Sequence, residues 1–189
     1  MREYLFRGKR KDNGEWVYGY YTELPVGSLG ATIFSNDDEI VCEDTASYII
    51  KVFEKQHSNY SNGNPLLVIE CENYEVIPET VGQYTGLNDK LGNEIFEGDI
   101  VKYHDDFDET EYTSVVKFGE YEQDGSDGEY APTECIGFYV EVKSYFVLYY
   151  SGDWEPCPYL LQRNLLEVAK SCEVIGNVYD NPELLKRDE

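Results

Sequence analysis

Short runs in which apolar and polar residues alternate, separated by clusters of Gly, Asn, Asp and Pro, recur from one end of the chain to the other. Period-two alternation puts successive side chains on opposite faces of an extended backbone, so these runs predict strands. Tyr4 to Arg10 and Glu15 to Tyr21 flank Asn13-Gly14, a pair suited to a type I′ hairpin turn because both central residues take positive φ. Trp16, Tyr18 and Tyr20 fall on one face, expected to pack inward, with Glu15, Val17 and Tyr21 opposite. Ala31 to Ser35 and Ile40 to Cys42 read as short strands around Asn36 to Glu39. Ala46 to Lys55 fits a helical face about as well as a buried strand, and strand is taken. His57 to Pro65 is polar and turn-rich, which predicts a mobile loop. Leu66 to Cys71 and Tyr74 to Ile77 supply two further strands.

From Tyr74 to Tyr103 the signals converge. Pro78 lacks a backbone N–H, so no central ladder continues through it and the chain must turn or cross over there. Val81, Tyr84, Leu87, Ile95 and Phe96 flank the polar stretch Asn88 to Gly92, the pattern of a hairpin. Gly98-Asp99 then stands directly before Ile100, Val101 and Tyr103, a turn feeding a strand. Beyond this hinge, Ile100 to Tyr103, Thr113 to Phe118, Cys135 to Val142 and Tyr145 to Tyr150 form four β runs whose spacing suits a small antiparallel barrel. Asn164 to Lys170 reads as a short helical turn and Cys172 to Tyr179 as the closing strand. Pro182 opens a terminal turn that should dock Leu184 and Leu185. The expected fold is mainly β, with antiparallel strands, short helical turns and a small SH3-like barrel in the C-terminal half. The expected division is a β-rich part at 1–85 and the barrel at 86–189.

Three separated blocks carry a resemblance: FRGKRKDNGEWVYGYY from Phe6, YEVIPETVGQYTGLNDKLGNEIFEGDIVKY from Tyr74, and EVIGNVYDNPELL from Glu173. In this order they resemble the YopX family of phage and prophage proteins. The resemblance implies a mostly β protein encoded by a phage or resident prophage. It implies no activity and transfers no site residues.

Composition agrees with strands and adds a charge argument. Eighteen tyrosines and eight phenylalanines, beside many Val and Ile, suit a pleated surface. The chain has 189 residues and is 41% hydrophobic, enough for a core without metal staples. Thirty-eight Asp and Glu against fifteen Lys and Arg give a net charge of −23. Such a field repels phosphates and anionic membranes, so direct nucleic-acid binding is not expected and a basic partner is. Solubility is the plain reading of the same charge. Arg2, Arg7, Lys9, Arg10 and Lys11 make the first hairpin basic, which reads as a charged edge strand or a patch that grips an acidic surface. No stretch has the length of a signal peptide or membrane span, so a cytoplasmic protein of a bacterial host is expected.

Candidate chemistry is sparse. Cys42, Cys71, Cys135, Cys157 and Cys172 include no CxxC pair and read as small buried hydrophobes. Cys157 has no adjacent cation to lower its pKa. His57 and His104, the only histidines, have no evident triad partners. Between His104 and Glu134, eleven carboxylates meet Lys117 alone. Most are assigned to two wet loops, Asp105 to Glu111 and Glu120 to Glu129, and neither has calcium-loop spacing. Glu120, Glu122 and Asp124 alternate, so on a strand they would lie on one side about 7 Å apart, comparable to successive phosphates. No catalytic, cofactor or metal residue is assigned, and no enzyme is expected. The leading expectation is a protein–protein interaction or self-assembly module, a homo-oligomer in which the basic hairpin meets a neighbour's acidic loops. The alternatives are an acidic nucleic-acid mimic that binds a basic host protein, and a metal-dependent hydrolase.

Overall fold

The computed structural model describes residues 5–25, 45–61, 64–105, 110–123, 132–142, 145–148, 154–157 and 161–186. The chain is mainly β, with antiparallel sheets and one short helix among the described residues. It divides into two compact units, Met1–Gln83 and Tyr84–Glu189. The strands expected at 31–35 and 40–42 lie outside the described residues.

In the first unit β1 (Phe6–Lys9), β2 (Trp16–Pro25), β3 (Thr45–Ser61) and β4 (Asn64–Glu75) form an antiparallel sheet in the order β4-β3-β2-β1. The β1–β2 hairpin forms as expected, but its turn is wider than type I′. Arg10 N donates to Glu15 O at 2.8 Å and Gly14 N to Arg10 O at 2.9 Å, which leaves a four-residue loop from Lys11 to Gly14. Asn13 Oδ1 accepts from Glu15 N and Asp12 pairs with Arg10, so side-chain bonds within the loop favour the wider reversal. Gly14, at φ 75°, supplies the left-handed residue the loop needs.

The inward face of β2 is the opposite of the one expected. Val17 is 4% exposed, while Tyr18 and Tyr20 are 42% and 53% exposed. Val17, Ile49 and Val76 form the core, with Phe6, Tyr21, Tyr74 and Val81 packed against it. Gly19 fixes this choice, because a Cβ there would sit 2.3 Å from Ile50 O, so only a residue without a side chain lets β3 approach. Large aromatic size misled the sequence reading: branched Val17 and Ile49 fill the close inner face, while Tyr18 and Tyr20 lie on the exposed one.

Two further expectations fail in this unit. The loop expected at His57 to Pro65 is largely strand, since β3 runs to Ser61 and β4 starts at Asn64. The two strands expected at Leu66 to Cys71 and Tyr74 to Ile77 are the single β4 and an isolated bridge from Val76 to Arg10. A long hairpin satisfies backbone groups whatever the polarity of its side chains, so local polarity does not stop it. The ambiguous run at Ala46 is strand, with Ile49 fully buried. Pro78 opens a 3₁₀ turn, Pro78–Thr80, whose Thr80 Oγ1 accepts from Lys9 N at 2.9 Å and donates to Ile77 O. Gly82 and Gln83 then pair with β1.

The second unit contains the rest of β5 (Gly82–Asn88), then β6 (Glu94–Phe96), β7 (Asp99–Asp105), β8 (Thr110–Gln123), β9 (Thr133–Val142), β10 (Tyr145–Leu148), β11 (Trp154–Cys157), β12 (Leu161–Asn164), α1 (Leu165–Val168) and β13 (Glu173–Asn177). β5 and β6 make the expected hairpin, and β10 pairs with β11. The main sheet has the order β12-β9-β8-β7-β13, and no ladder among the described residues closes it into a barrel. Its core gathers Ile95, Val101, Tyr103, Tyr112, Val116 and Val140 under Leu165, Val168, Ala169 and Cys172. Buried Asp89 ties the β5–β6 loop to β13: its carboxylate accepts from Leu91 N, Asn93 N, Asn93 Nδ2 and Val174 N at 2.8–3.0 Å. The Gly98-Asp99 turn is held by Asp99 Oδ2, which accepts from Phe96 N at 2.8 Å. The terminal turn forms at Pro182–Leu185, with Leu184 and Leu185 more than one-third exposed.

Candidate functional site

β8 and β9 alternate β-branched, aromatic and acidic residues and pair from Val116↔Val140 to Gln123↔Thr133. Residues directly opposite share a face, so one side of this ribbon carries three successive rows: Phe118 with Phe138, Glu120 with Ile136, and Glu122 with Glu134. The other side is tied down. Tyr121 and Tyr139 stack at 5.2 Å with their rings against Gly137 and Gly119, the two glycines that face each other across the ladder. Tyr121 Oη accepts from Asn164 Nδ2 at 2.7 Å, and burial first of all pushes its pKa up, so the phenol stays neutral. Glu122 N donates to Gln162 Oε1 at 2.8 Å, and Gln123 Nε2 to Glu167 Oε1 at 2.6 Å. The far end of the ribbon is thereby fastened to β12 and α1, and its outer rows are held in a fixed geometry.

That outer face is exposed and apolar at one end. Ile136 is 74% and Phe118 51% exposed, and the Phe118 and Phe138 rings meet at 5.0 Å with a 60° tilt. At the other end Glu120, Glu122 and Glu134 are all exposed, and no cation among the described residues pairs with them. Glu122 and Glu134 are direct cross-strand partners, a like-charge arrangement that costs stability. A depression of ≈ 470 Å³ lies beside them, bounded by Tyr121, Cys135 and Gln162.

Two other hollows are chemically quieter. One of ≈ 360 Å³ lies between β8 and the terminal turn, where Lys117 donates to Glu141 and Ser114 Oγ donates to Glu141 O at 2.8 Å. The serine proton is thus directed to a peptide carbonyl, with no base positioned to take it. The other, ≈ 350 Å³, lies in the first unit where Arg10 and Lys11 meet Asp12 and Glu75.

The acidic residues fall differently from expectation. Glu111, Glu120 and Glu122 are strand residues of β8 rather than members of loops, because a fourteen-residue strand spans Thr110–Gln123; residues 106–109 and 124–129 lie outside the described residues. Asp124 and Cys42 lie outside the described residues. His104 is exposed on β7 opposite Glu111, and no group of three His, Cys, Asp or Glu among the described residues could hold a metal ion. Of the cysteines, Cys172 is buried, with its thiol pushed up to about 11 chiefly by burial, whereas Cys71 is exposed. Among the described residues, the first hairpin's cations are already in use: Arg7 and Lys9 lie over the Trp16 ring, Arg10 holds Asp12 and Lys11 holds Glu75. Phe118 and Ile136 were missed as surface residues. The signal was their parity, since each shares a strand face with a glutamate two residues away or a neighbour of that kind.

A protein-family model described as YopX protein matches residues 5–186. No curated protein matches the chain. A solved structure, protein EF1440 from Enterococcus faecalis, is similar at 20% identity over 98% of this chain and 100% of that chain, with a TM-score of 0.41.

Proposed function

This chain belongs to the YopX family, and from that premise we propose that it is a non-enzymatic protein-interaction module of phage or prophage origin. Its contact surface in this reading is the outer β8–β9 face. The observation that carries the proposal is the exposure of Ile136 and Phe118 on one rigidly fastened ribbon, beside glutamates that have no counter-charge among the described residues. Apolar side chains grouped on a surface and rimmed by polar ones are a common mark of a protein contact. The reading takes the second unit as an SH3-like barrel completed by side chains instead of a ladder, with Gln162 and Asn164 tying β12 to β8 and Gln123 tying β8 to α1. The acidic nucleic-acid mimic is the second reading, favoured by the clustering of Glu120, Glu122 and Glu134 at one end of the ribbon.

The test is capture of proteins by the tagged chain from lysate of the bacterium that carries its gene, at low and physiological salt, with Ile136→Ser beside the wild type. A specific protein held by the wild type and lost by more than about fivefold in the variant is the expected result, the range of a surface anchor residue. Equal capture by both forms overturns the assignment of this face. Competition of the captured protein by free nucleic acid favours the mimic over a general module.

A further inference from the structure

Resting on that reading, we propose that the β8–β9 face receives a lysine- or arginine-rich segment of another protein, bound in extended form. Three features of the face specify this occupant. First, Glu122 and Glu134 stand opposite each other with Glu120 one row away, so three like charges lie within one or two strand spacings of each other. Opposite residues are separated by about 5 Å and alternate ones by about 7 Å, and cations two residues apart on an extended segment repeat at the same interval. A cation set between Glu122 and Glu134 turns their repulsion into attraction, so binding recovers what the free fold gives up.

Second, Phe118 and Ile136 continue the same face. The aliphatic stems of Lys and Arg pack on such side chains while their heads reach the carboxylates, and Phe118 offers a ring face to a cation. Third, eight of this chain's described cations are engaged elsewhere. Arg10, Lys11, Lys90, Lys102 and Lys117 each hold a carboxylate, and Arg7, Lys9 and Lys51 lie over aromatic rings. A second copy docking through its basic hairpin would have to break those contacts to supply the charge, so the complementary segment is assigned to a different protein. This replaces the expected neighbour contact through the basic hairpin.

A short fluorescent peptide with lysine at alternate positions between valines serves as the probe, and the same peptide with glutamate for lysine as its control. Binding is read by anisotropy at low and physiological salt. E120Q/E122Q/E134Q keeps side-chain shape and removes the local charge. E79Q/E94Q/E183Q removes the same net charge from exposed positions elsewhere. The expected result is a Kd raised about tenfold by the first variant and less than about twofold by the second, with neither variant melting below the wild type. Equal weakening by both variants means bulk attraction to an acidic protein and overturns the proposal, as does binding of the glutamate peptide or no binding of the lysine one. If the lysine peptide fails while Ile136→Ser still abolishes protein capture, the basic partner falls and the interaction module stands. If capture also survives Ile136→Ser, both fall.

Discussion

Four donors converge on Asp89, a carboxylate only 6% exposed, and the balance of forces there sets a pH dependence. Burial by itself would raise its pKa, but the N–H groups of Val174, Asn93 and Leu91 and the Asn93 amide outweigh it, and the net shift is downward. A lowered folded-state pKa means that the stabilisation is present above the unfolded value, about 3.9, and is lost as pH falls through the folded value. Asp89→Asn should therefore cost about 2 kcal/mol at neutral pH, and the gap from wild type should narrow below about pH 4. Urea melts of both forms across that range check it, and a gap that is constant with pH would remove the charge from the explanation. The sequence marked Asn88 to Gly92 as a turn because Asn, Asp and Gly are local turn formers. It could not mark Asp89 as the link to Val174, eighty-five residues away, because nothing in a turn signal specifies a distant partner.

At the scale of elements, the hairpins and β runs were legible where apolar alternation met Gly, Asn or Pro, and the short helix lies within the helical turn expected at Asn164 to Lys170. Asn164 Oδ1 accepts from Leu166 N at 2.8 Å, which satisfies one free N–H of α1, while its amide reaches Tyr121 on β8. Losing both contacts in Asn164→Ala should cost about 2 kcal/mol, and Asn164→Ser, which keeps only the cap, about half as much. Chemical denaturation measures the difference, and an alanine variant as stable as the wild type would show that the β8–α1 tie carries no weight. Which face of a strand turns inward was less legible. On β2 the aromatic stripe suggested Trp16, Tyr18 and Tyr20, yet the short contact at Gly19 requires Val17 and Tyr21. On β9, Ile136 is 74% exposed, which strand alternation alone does not mark.

For the whole molecule the governing quantity is a net charge of −23. The ion pairs among the described residues are largely exposed and contribute little each, so repulsion among unpaired carboxylates should dominate the response to salt. Melting in sodium chloride should move upward by about 3–6 °C between low and high salt, from roughly 1–2 kcal/mol of screened repulsion. A flat or falling trend would mean that the pairs outweigh the repulsion. No described helix is long and apolar enough to cross a membrane. Family membership, strand content, the turn at Pro78 and the excess of acid over base followed from the sequence alone, because each is a property of local pattern or of a sum. The inward face of β2, the length of the β3–β4 hairpin, the tie from Asp89 to Val174 and the gathering of Glu120, Glu122, Glu134, Phe118 and Ile136 on one face were decided by tertiary structure. Each depends on which distant backbone lies alongside, and that is fixed by cross-strand register and close packing rather than by any residue's own preference.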